Sequence, residues 1–275
     1  ALSSSAYGTQ EILVIIAVLG ASAYQYIFPL SIAIVMLLAI VVISYEQTIH
    51  AYPNGGGAYI VARDNLGENY AKIAAAALLV DYVLTVAVSI SSGVANLVSA
   101  IPALFDYRVA VSIVLVGFIM ILNLRGVRES GTAIAIPAYF FIVSTLFAIG
   151  VGVVKYFCGT LGFVVDAPVI DTSHFTQSAL AFQLLRAFSS GTSALTGVEA
   201  ISNGVPAFKE PRSKNAGITL IIMASILAVM TLGIAFLTSQ IQAVPSEAET
   251  VISQVIRTAY DGRGVLHFLP PEPYH

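Results

Sequence analysis

Between Asn215 and Ser246 the chain carries no charged residue at all. A helix crossing a hydrocarbon core of ~30 Å needs about 20 mostly apolar residues, each adding ~1.5 Å. This stretch therefore reads as a membrane span, and the pattern repeats. Ile27 to Tyr45, Val109 to Leu124 and Ser130 to Val154 are also uncharged, and Ile73 to Ile101 holds one charge, Asp81. Ile12 to Leu19 is a short apolar run behind a small polar one. Ser178 to Phe208 is apolar but interrupted by Ser189-Ser190-Gly191-Thr192-Ser193 and by Glu199. Seven membrane segments follow, the first incomplete, with an eighth starting near Val265. Composition agrees: 57% of residues are apolar and 10% charged, against roughly 25% charged in a soluble domain. The fold class is an all-α membrane protein.

Other classes are excluded by what is scarce. The net charge of −3 does not suggest a nucleic-acid partner. One cysteine, Cys158, rules out an internal disulfide or a thiolate cluster. His50, His174, His267 and His275 are far apart and form no ligand motif. The run Tyr52-Pro53-Asn54-Gly55-Gly56-Gly57-Ala58-Tyr59 lacks the Gly-Lys-Ser/Thr ending of a phosphate loop. It reads as a tight re-entry into an interfacial helix. No catalytic residue, enzyme activity or cofactor is expected.

Basic residues in the connections set orientation. Arg63, Lys72, Arg125, Arg128, Lys209, Arg212 and Lys214 lie in even-numbered loops, and Arg108 and Lys155 in odd ones. The even loops are expected in the cytoplasm, with the N-terminus on the same side. The chain opens at Ala1 without a basic flank and closes on Pro270-Pro271-Glu272-Pro273; it is expected to be a piece of a longer gene product. No soluble domain is visible, and Lys155 to Gln177 reads as an outer loop.

Inside lipid every backbone N–H and C=O must find a partner within the protein. Clusters of Ser, Gly and Thr inside apolar segments therefore mark candidate interruptions. One is Ser3-Ser4-Ser5-Ala6-Tyr7-Gly8-Thr9 and the other runs from Ser189 to Gly197, five segments later. Interrupted helices at matching places in two halves point to a transporter's binding site. Small residues also serve close helix packing alone. Pro137 invites a kink in segment five.

Polar groups at membrane depth are the remaining clue. Asp81 costs at least ~2.5 kcal/mol at a span's centre and should face a cavity or partner. Tyr82, Thr85 and Ser89 are spaced i, i+3, i+7, which puts three hydroxyls on one stripe. Such oxygens replace water around a monovalent cation or bind an amino-acid backbone; alternatively Thr85 and Ser89 bond their own helix. Glu199, three residues after Thr196, either cycles a proton or locks the broken helix.

These motifs resemble a known group. Tyr52-Pro53 with Gly55-Gly56-Gly57-Ala58-Tyr59, and Thr196-Gly197-Val198-Glu199-Ala200-Ile201-Ser202-Asn203 followed by Phe208-Lys209-Glu210-Pro211-Arg212, look like the amino acid–polyamine–organocation (APC) superfamily. Ala1-Leu2-Ser3-Ser4 leading to Ala6-Tyr7-Gly8-Thr9, the stretch Leu79 to Ser91, and Ala187-Phe188-Ser189-Ser190-Gly191 resemble more closely its KUP/KimA-type bacterial potassium importers. The resemblance runs from Ala1 to about Arg263. It implies the leucine-transporter fold, two inverted five-helix repeats with helices one and six broken. It also implies potassium uptake with proton symport, a homodimer, and a bacterial inner-membrane location. Carried over by position, the family's ion-site oxygens fall on Tyr7, Tyr82, Thr85, Ser89 and Thr196, with Glu199 in helix six. The family's aspartate ahead of the Ala-Leu-Ser-Ser run precedes Ala1, Gln10-Glu11 stands in reversed order, and helices eight to twelve and the cytosolic domain are not in the chain.

The resulting expectation is a bundle covering about helices one to seven. Residues 1–157 form the first repeat, 158–178 an outer loop and 179–275 the start of the second. K⁺ sits between helices one, three and six on the five oxygens, with Asp81 and Glu199 as charge or proton partners. The first alternative is an amino-acid permease, in which the site takes a small amino acid. The second is a non-transporting fragment or subunit packed against a full-length partner.

Overall fold

The computed structural model describes residues 2–124, 127–164 and 180–260. Among these the chain is helical, without a strand. The helices are α1 (Ser5–Ile16), α2 (Ile27–Ala51), α3 (Gly57–Leu66), α4 (Glu68–Ala100), α5 (Arg108–Leu124), α6 (Val127–Phe157), α7 (Leu180–Gly191), α8 (Ala200–Asn203), α9 (Arg212–Ile241) and α10 (Val251–Ala259). Six stretches among the described residues are long and apolar enough to cross a membrane: Leu2–Leu19, Ser22–Ala51, Glu68–Ala100, Pro102–Leu124, Ile134–Phe157 and Arg212–Ile241. They match the first, second, third, fourth, fifth and seventh expected segments. The sixth segment is divided between α7 and α8.

The bundle is built on α2 and α9. Ile27, Ser31, Ile34, Leu38, Val42 and Ile49 are buried in a single stripe along α2, as helical spacing requires of one packed face. The facing helix α9 buries Ala216, Gly217, Leu220, Ala224, Leu227 and Met230. Small residues there let the axes approach; a Cβ at Gly217 would sit 3.4 Å from His50 Cε1. On the other side of α9, Gly233 receives Ile149 and Gly152 receives Leu237, which docks α6. α1 and α7 pack together at Gly191, whose missing side chain leaves room for Ile12 and Ile34.

α4 and α5 are different. On α4 only Ala71, Val94 and Val98 are buried, and α5 buries none. Leu79, Val80, Val83, Leu84, Ile113 and Val114 stand exposed. Apolar faces of this extent belong against lipid tails or further helices, not water.

Two expectations need revision. Segment seven does not run to Ser246: α9 stops at Ile241, and Gln242 turns left-handed at φ 55°. The absence of charge hid a structural reason for that turn. Residues 243–250 fold back under α10, where the buried Gln254 side chain accepts from Val244 N at 2.9 Å and donates to Val244 O at 2.7 Å. The second revision concerns Ser3 to Thr9. It is helical throughout, passing from a 3₁₀ turn at Leu2–Ser4 into α1, so its irregularity is a change of helix type. Most of the expected outer loop, His174, Arg125, the eighth segment near Val265 and the closing proline run lie outside the described residues. So do His267 and His275 and the side chain of Arg128.

Candidate functional site

The second interruption is real. α7 ends at Gly191, a 3₁₀ turn covers Thr192–Leu195, and Thr196 is then extended at φ −59° and ψ 134°. Gly197 follows at φ 84°, a conformation that suits glycine and strains other residues. The chain recovers helical form at Ala200. Directly opposite, α1 comes as close as its backbone permits: a Cβ on Gly8 would be 2.5 Å from Ala194 Cβ. Ser4 completes the join by donating to the Ala194 carbonyl.

Tyr7 projects from this contact and is buried. Its hydroxyl neighbours the Ser89 and Thr196 side chains. Ser3 Oγ is 3.4 Å from Ser89 Oγ. Thus residues expected from helices one, three and six do meet. Tyr82, Thr85 and Ser89 share the half-buried face of α4, and Thr85 Oγ1 is buried without a partner. The alternative in which Thr85 bonds its own helix is therefore excluded.

The freed carbonyls of the break are less bare than the sequence suggests. Ser193 O accepts from Thr196 Oγ1 at 2.6 Å, and Ala194 O is taken by Ser4. Side-chain oxygens are the unsatisfied groups instead: Thr85 Oγ1, Ser193 Oγ, Glu199 Oε1 and Asn203 Oδ1 are buried and unpartnered. A buried polar oxygen without a donor costs about 1–3 kcal/mol. Ser193 and Glu199 belong to the break itself, Thr85 to α4 and Asn203 to α8.

Glu199 stands just past the break. Its carboxylate lies near its own backbone N–H and that of Gly197, with Oε1 buried and unpartnered. The same carboxylate is within electrostatic reach of Asp81, Tyr82 and Tyr45. Asp81 itself is exposed on α4, one turn before Thr85. It belongs to the group through its field.

Two members escape sequence reading. Tyr45, on α2, joins the Glu199–Asp81–Tyr82 group. Asn203 donates from Nδ2 to the Tyr82 hydroxyl. The only sequence signal for either is a polar side chain in an apolar or broken segment, which many packing residues share. Among the described residues no three of His, Cys, Asp and Glu stand together as a metal cluster. The donor set is hydroxyls, an amide and a carboxylate. Such oxygens suit a weakly held monovalent cation or a small zwitterion.

A second opening lies beside the site. A cavity of about 670 Å³ is lined by Gln10, Ser91, Arg108, Ser112, Glu247 and Thr250, among others. It lies at the α10 end of the bundle, where Thr250 Oγ1 donates to Asn96 Oδ1 at 2.7 Å. A smaller one of about 320 Å³ reaches Ser3, Ala6 and Ser89 from the side of Pro137.

The chain is 49% identical over 271 residues to the potassium transporter KimA of Bacillus subtilis (strain 168), covering 98% of this chain and 44% of that relative. It therefore spans less than half the relative's length. The family model described as "Amino acid permease" matches residues 1–265. A match of that extent, to a chain whose apolar helices are those of a multi-pass membrane protein, makes it a member of the amino acid permease family of the APC superfamily.

Proposed function

We propose that this chain carries the ion-binding half of a secondary transporter that takes up K⁺ together with protons. The observation that supports the reading most is the meeting of Tyr7, Ser89 and Thr196 at a broken helix whose neighbouring side-chain oxygens have no partner. Oxygens of that kind replace a hydration shell, and their number and field select the ion. The name of the relative, a potassium transporter, favours the same cargo.

In this reading Tyr7, Tyr82, Thr85, Ser89 and Thr196 hold K⁺ near the bilayer midplane. Glu199 and Asp81 set the field, and Glu199 exchanges a proton as the cargo moves. Residues 1–157 and 179–275 belong to two inverted repeats, and the transporter works as a homodimer in a bacterial inner membrane. The basic loops face the cytoplasm, where positive charge is retained.

Amino-acid exchange is the rival reading, favoured by the family description. Rubidium uptake by bacterial cells lacking their own potassium importers, and expressing the intact gene, decides between them. Saturable rubidium accumulation that collapses when the proton gradient is discharged is expected. Robust exchange of a labelled amino acid with no rubidium entry gives the site to a zwitterion. Neither activity, from protein that has reached the membrane, leaves the partner-subunit role.

A further inference from the structure

The loop between α2 and α3 touches the segment after the break more closely than side chains permit. Gly55, Gly56 and Gly57 all have positive φ, at 77°, 101° and 41°. A Cβ at Gly57 would lie 1.7 Å from Asn203 Oδ1, and one at Gly55 would lie 2.4 Å from Pro206 Cδ. Gly56 N also donates to Asn203 O at 3.5 Å. Gly55 and Gly57 are thus required twice, by conformation and by the space that Pro206 and Asn203 occupy.

Asn203 has a second face. Its backbone N–H bonds Glu199 O at 3.1 Å, which fixes it to the recovered helix. Its Nδ2 donates to the Tyr82 hydroxyl. Tyr82 rides on α4, where only three residues are buried, so packing alone does little to hold the phenol. A phenol that accepts from an amide keeps its own hydrogen and one lone pair. That lone pair is free to face a cation.

We propose that Asn203 is a positioning residue: held by the 55–57 glycine loop, its amide aims the Tyr82 oxygen into the transport site. The proposal rests on the reading that Tyr82 contacts the transported species. Displacement of the loop shifts Asn203, and through it the Tyr82 oxygen.

A double-mutant cycle on Asn203→Ala and Tyr82→Phe tests it, with rubidium uptake measured in cells expressing the intact gene and scaled to protein in the membrane. Asn203→Ala is expected to raise KM about tenfold, the loss of a hydrogen bond to a substrate-facing group, with the maximal rate little changed. Added to Tyr82→Phe, it should raise KM no further, because the hydroxyl it acts through is already gone. KM effects that multiply, or a change confined to the maximal rate, would overturn the proposal. Where the alanine variant does not reach the membrane, Asn203→Leu, close in size and without an amide, is held to the same criterion. Should the wild type exchange an amino acid and exclude rubidium, the potassium reading falls alone, and the same cycle on that amino acid judges Asn203.

Discussion

Ser190 Oγ, near the end of α7, donates to Glu11 Oε2 on α1 at 2.9 Å. The two helices are already packed at Gly191 against Ile12, so this polar contact seals a pair of half-spans that lie beside the broken region.

Removing the acceptor should loosen that pair. Glu11→Ala is expected to lower stability by about 1–2 kcal/mol, the worth of a hydrogen bond to a charged group that is only half-buried. Thermal unfolding of the purified protein in detergent reads it directly. A midpoint identical to wild type would mean that apolar packing alone holds α1 to α7.

Thr85 offers a test of function against stability. Its Oγ1 is buried and unpartnered, so Thr85→Val, nearly the same shape, removes a penalty. The variant is expected to gain about 1 kcal/mol in unfolding free energy while losing about tenfold in substrate affinity. Gain without loss would show that the oxygen takes no part in binding.

Gly8→Ala should separate α1 from the break. The added methyl would meet Ala194 Cβ at 2.5 Å and Ala194 Cα at 3.2 Å, with backbone behind them that cannot swing aside. Overpacking of this kind costs about 1–3 kcal/mol, and uptake is expected to fall at least as far as in the Tyr82→Phe variant. Gly93→Ala and Gly150→Ala, which meet nothing within 4 Å, are the matched controls. Equal behaviour of all three would remove the close approach from the account.

Gln254 ties the return loop to α10. Its buried side chain bonds Val244 N, Val244 O and Glu249 O. Gln254→Ala leaves those backbone groups unpaired at a cost of about 2–3 kcal/mol. Faster cleavage of residues 243–250 by added protease is the expected sign. The bidentate Arg257–Glu249 contact, 2.9 Å at both ends, remains to hold the loop in part; wild-type resistance in the variant would make that ion pair the dominant tie.

The interrupted segment was legible because glycine and hydroxyl residues are expensive to place in lipid without reason. The hydroxyl stripe on α4 was legible from spacing, since 3.6 residues per turn puts Tyr82, Thr85 and Ser89 on one face whatever surrounds them. Asp81 shows the limit of that argument. It stands four residues before Thr85, only about 40° round the helix, and is nonetheless exposed while Tyr82 and Thr85 are half-buried. α10 was missed because nine residues with Ser, Gln and Arg among them fall far below a span's length, and their burial comes from partners distant in the chain.

The amino-acid sequence by itself determined the membrane spans and the position of the break, because a hydrocarbon core leaves helices little alternative and makes each departure from them conspicuous. Only the tertiary structure decided which oxygens are spent and which are left over. Ser4 takes the Ala194 carbonyl from another helix, and Asn203 reaches Tyr82 across 121 positions. Pairings at such separations depend on how helices cross and how near glycines let them come, and no local pattern of residues encodes that distance.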